Sequence, residues 1–86
     1  MLSARRGDDA APEIQSWGNA VAKSVDPGVE ITVEFDADSN TFVVRLIKNS
    51  RVLIFRLSTS QVHTDGRESE CERTLKRKIK DLWNLI

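Results

Sequence analysis

Two short turns constrain this chain more than anything else in it. Asp36-Ala37-Asp38-Ser39-Asn40 and Lys48-Asn49-Ser50 separate three β-rich runs at residues 29–35, 41–47 and 51–57. The first run alternates apolar and polar residues strictly, the pattern of a strand with one buried face. Hairpin loop length then fixes how the runs pair. A two-residue turn at Asn49-Ser50 sets Phe42 opposite Leu57, Val44 opposite Phe55 and Leu46 opposite Leu53. A four-residue loop at 37–40 sets Phe35 opposite Phe42, Val33 opposite Val44 and Ile31 opposite Leu46. Both turns therefore send the same apolar side chains to one face of a three-stranded meander.

Helical patterns flank the meander. Ile14, Trp17, Val21 and Val25 form one apolar stripe, which predicts a helix over about 10–25 that ends at Asp26-Pro27-Gly28. Asp8 or Asp9 is expected to cap its first turn, and Pro12 is tolerated that early. Gly18 weakens this helix and suggests a close approach to the sheet. Residues 58–64 read as a connector. Asp65-Gly66-Arg67-Glu68 then fits a capping box that opens a second helix running to the end, with a stripe of Cys71, Leu75, Ile79, Leu82, Trp83 and Ile86. The expected fold is α+β, in the order α-β-β-β-α, with both helices packed on one face of an antiparallel sheet. At 86 residues the chain is long enough for one small domain, placed at 9–86 behind a disordered N-terminal arm at 1–8.

The chemistry-bearing residues are few. There is one cysteine, Cys71, which excludes an internal disulfide and a Cys-rich zinc site and suggests a reducing, cytoplasmic setting. It falls on the apolar stripe, and the neighbouring Glu68, Glu70 and Glu72 oppose thiolate formation. The one histidine, His63, has no evident nucleophile beside it and no second histidine with which to share a metal. Asp36 and Asp38 sit in a turn without the ligand spacing of a calcium loop, and no glycine-rich phosphate cradle is present. The expectation is a protein without enzymatic activity, cofactor or metal. No apolar run approaches the roughly 18 residues of a membrane span.

Charge carries more information. Thirteen basic and thirteen acidic residues sum to zero. Yet residues 1–43 hold three basic and eight acidic groups, whereas residues 44–86 hold ten and five, so −5 stands against +5. Arg73, Lys76, Arg77 and Lys80 fall on one arc of the last helix, a candidate nucleic-acid contact. The same pattern also offsets the helix macrodipole, with acids early and bases late.

On the face of the sheet away from the helices, the register gives the rows Glu34–Val43–Arg56, Thr32–Arg45–Ile54 and Glu30–Ile47–Val52. Val43, Ile47, Val52 and Ile54 form an apolar cluster there with Arg45 and Arg56 among them, and the last strand is a free edge. These residues are the candidate protein interface, for a second copy or another protein. The element order resembles that of double-stranded-RNA-binding domains over roughly residues 10–86. That family opens its second helix with a lysine cluster and carries a Gly-Pro-x-His contact between its first two strands. Here those places hold Asp65-Gly66-Arg67-Glu68-Ser69-Glu70 and Asp36-Ala37-Asp38-Ser39-Asn40. The likeness is one of topology, and it transfers no functional residue.

Overall fold

The computed structural model describes residues 1–85. A single 3₁₀ turn (Gly7–Asp9) leads into helix α1 (Ala11–Val25), strands β1 (Glu30–Asp36), β2 (Thr41–Lys48) and β3 (Arg51–Ser58), a one-turn helix α2 (Thr59–His63) and helix α3 (Glu68–Trp83). The strands form one antiparallel sheet in the order β1-β2-β3. The pairings anticipated from the two turns are all present, from Phe35 with Phe42 to Leu46 with Leu53. Asn40 and Asn49 each take a positive φ of 56°, the left-handed conformation asparagine tolerates in tight turns.

The core lies between the sheet and the helices. Ile31, Val33, Phe42, Val44, Leu46 and Leu57 meet Ile14 and Val21 of α1 and Cys71, Leu75, Ile79 and Leu82 of α3. α1 packs mainly on β1, while α3 packs on β3 and β2. Gly18 marks the closest approach: a Cβ there would lie 2.9 Å from Ile31 Cγ2. Ile86, expected on the second stripe, lies outside the described residues.

Three local expectations are corrected. The connector at 58–64 contains α2, closed by a capping box in which Ser58 Oγ accepts from Gln61 N–H and Gln61 Oε1 accepts from Ser58 N–H. The box expected at Asp65–Glu68 does not form, because Arg67 is the N-cap and Gly66 turns the chain at φ 88°. Nor do Asp8 and Asp9 cap α1; its N-cap is Ala10, whose carbonyl accepts from Ile14 N–H. The first residues lie close against the domain. Leu2 N–H donates to Val62 O, and Ser3 is buried with its hydroxyl on Glu13. The reason is that α2 projects an open carbonyl and an imidazole toward this segment, which a featureless connector would not do.

Candidate functional site: the open edge of the sheet

A three-stranded sheet has two edges, and here they differ. The four-residue loop closes on the pair Asp36–Thr41 and the two-residue turn on Lys48–Arg51. Bonded and non-bonded pairs alternate from each closing pair. The odd residues of β2 therefore bond β1 and the even ones bond β3. Outward-facing backbone groups then belong to Ile31, Val33 and Phe35 on one side, and to Val52, Ile54, Arg56 and Ser58 on the other.

On the β1 side α1 supplies the missing partners. Asn19 accepts from Ile31 N–H at 3.0 Å and donates to Ile31 O at 3.1 Å, and Gln15 Oε1 accepts from Val33 N–H at 3.0 Å. These two amides sit one helical turn apart, so a single face of α1 reads two successive outward positions of the strand. Along Ile31 and Val33 the edge is thus sealed by side chains. On β3 only the last outward group is met, Ser58 N–H donating to Gln61 Oε1; among the described residues no such contact reaches those of Val52, Ile54 and Arg56.

The open face divides in the same direction. Val43 and Ile47 on β2 are half-buried, while Val52 and Ile54 on β3 are 49% and 55% exposed. Among the described residues no helix covers either pair. The difference is lateral: Arg45 reaches diagonally to Glu34, and Arg56 reaches to Thr41 on β2 and across it to Ser39 and Asp36. Arg56 thus pairs with Asp36 and not with a glutamate of β1. The four-residue apolar cluster narrows to two exposed side chains, and both stand on the strand with the open edge.

The basic stripe is also on the surface. Arg73, Arg77 and Lys80 are exposed and make no ion pair among the described residues, whereas Lys76 stands 3.4 Å from Glu72. Arg73 and Arg77 border a shallow depression together with Gln61, Glu70 and Thr74. Glu70 within it is held by Arg67 and Gln61, contacts that keep its carboxyl below the usual range.

His63 and Cys71 are both engaged elsewhere. His63 Nδ1 donates to Ser3 O at 3.0 Å, its ring meets Phe42 edge-on, and Nε2 is enclosed without a partner among the described residues. The Cys71 thiol is buried, which pushes its pKa up, and Glu70 adds to the shift. No group of three metal-ligating side chains is gathered among the described residues, and no helix there is long and apolar enough to cross a membrane.

Sequence reasoning singled out β3 and its apolar face but missed the seal on β1. The spacing of Gln15 and Asn19 was legible, yet polar residues beside an apolar stripe ordinarily face solvent. Comparison with protein-family models, curated proteins and solved structures found no match to the chain.

Proposed function

We propose that this chain is a small non-enzymatic interaction module of the cytoplasm that binds an extended segment of polypeptide along β3. The observation that carries this reading is the asymmetry of the edges. Gln15 and Asn19 bond the outward N–H groups of Ile31 and Val33 and the carbonyl of Ile31, whereas among the described residues β3 presents free backbone groups beside exposed Val52 and Ile54. Strand addition uses both features at once: main-chain hydrogen bonds supply affinity, and alternate side chains supply selectivity. The cytoplasmic part of the reading is supported by the free cysteine alone.

The test is amide exchange on the full chain with alternating-strand peptides of acidic, neutral and basic composition, together with sedimentation velocity of the chain alone. The expected result is slowed exchange at Val52, Ile54 and Arg56, either with a peptide or on self-association, and its loss in Ile54→Glu. A monomer at every concentration whose β3 amides no peptide protects would overturn the reading.

A second reading is nucleic-acid binding through α3, favoured by the exposed Arg73, Arg77 and Lys80, which make no ion pair among the described residues. It requires binding that weakens steeply with salt and a shallower salt slope when Arg73, Lys76, Arg77 and Lys80 are neutralised. No retention of RNA or DNA at low salt would remove it.

A further inference from the structure

We infer that the strand accepted by β3 is acidic, an extended segment of another protein with carboxylates between its apolar residues, and not β3 of a second copy. This rests on the proposal that β3 is the working edge. It follows from where the fold leaves the charges.

Because strand order repeats sequence order and each long helix packs nearest its own end of the sheet, the chain's asymmetry survives folding. Residues 1–38, with α1 and β1, hold three basic and eight acidic groups. β2 adds Arg45 and Lys48. Residues 51–85, with β3 and α3, hold eight basic and five acidic groups. The molecule runs from −5 on the sealed side to +3 on the open one.

The open strand itself is basic. β3 carries Arg51 and Arg56 and no acid, Arg56 being paired with Asp36 of β1. Arg51 is exposed and donates to the carbonyl of Trp83, a contact that leaves its charge unneutralised.

A symmetric pairing of β3 with its own copy would bring two basic strands and two basic flanks together without one new opposite-charge pair across the junction. Like charges facing one another across a junction cost binding and slow encounter. The acidic strand the chain does possess, β1, is obstructed for a neighbour because α1 already bonds the N–H and carbonyl of Ile31 and the N–H of Val33 on its outer side. Self-assembly of β3 on β1 from copy to copy is hindered for that reason. What fits the open edge is a strand shaped and charged like β1 but supplied in trans.

The probe is therefore a free peptide with the sequence of residues 29–36, Val-Glu-Ile-Thr-Val-Glu-Phe-Asp, and a counterpart carrying Glu30→Lys, Glu34→Lys and Asp36→Lys. Both are titrated into the labelled full chain while individual amides are followed. The acidic peptide is expected to slow exchange at Val52, Ile54 and Arg56, to bind about tenfold or more tightly than the lysine form at low salt, and to lose that advantage at high salt. Equal binding of the two peptides would leave strand addition standing and overturn the preference for acid. Protection of the same amides without peptide, with a doubled mass in sedimentation, would make a second copy the occupant and overturn it as well. If neither peptide nor concentration protects β3, the edge reading fails and this inference fails with it.

Discussion

Gly18 shows how one position sets the spacing of a layer. Alanine there would improve helix propensity by about 1 kcal/mol. However, its Cβ would sit 2.9 Å from Ile31 Cγ2, and Ile31 is a β-branched side chain at 1% exposure with little freedom to yield. Overpacking of this kind costs about 1–3 kcal/mol. Gly18→Ala is therefore expected to destabilise the chain by roughly 1 kcal/mol net in chemical denaturation, and a stabilised variant would show that α1 can move off the sheet.

Asp26 ties three elements together. Its carboxylate accepts from Lys48 Nζ at 2.5 Å, Trp83 Nε1 at 2.9 Å and Gly28 N–H at 2.9 Å. The Lys48 contact leads in holding its pKa below the ordinary 3.8. Asp36 is held low in the same way, by Ser39 first and Arg56 next. A carboxyl whose folded pKa is depressed contributes stability that is complete above its unfolded pKa and disappears as pH falls through the folded one. The chain should thus lose stability on acidification below about pH 4, and Asp26→Asn should flatten that loss while lowering stability at neutral pH. An unchanged acid limb in the variant would remove Asp26 from the account.

At the scale of elements, the strands were legible because short loops leave little choice of register, and two of them agreed. α2 was harder to see. Ser58-Thr59-Ser60-Gln61 carries the capping-box spacing, but a single turn with one buried apolar residue, Val62, shows no periodicity. The same spacing at Asp65–Glu68 falls across Gly66 and closes nothing. The edge seal depends on where α1 lies relative to β1, which no local pattern records. Removing it has a defined effect. Asn19→Ala strands the N–H of buried Ile31, an unsatisfied donor that costs about 1–3 kcal/mol. Adding Gln15→Ala should open a second edge, seen as faster exchange at Ile31 and Val33 and as aggregation at concentrations the parent chain tolerates.

Over the whole molecule, a net charge of zero conceals a polarised body. The sequence showed the two halves, but only the arrangement of layers decides whether they cancel, and they do so just in part: Glu34 with Arg45, Asp36 with Arg56 and Asp26 with Lys48 join them across the sheet. The sealed acidic edge and the open basic edge lie on opposite sides of β2, and the difference between them is the basis of the functional reading.

Amide hydrogen exchange on the dilute chain tests that difference most directly. The account predicts slow exchange at Ile31 and Val33, although both lie on an outer edge, and alternation along β3, with Leu53, Phe55 and Leu57 slow and Val52, Ile54 and Arg56 fast. Uniform protection along β3, or rapid exchange at Ile31 and Val33, would contradict it.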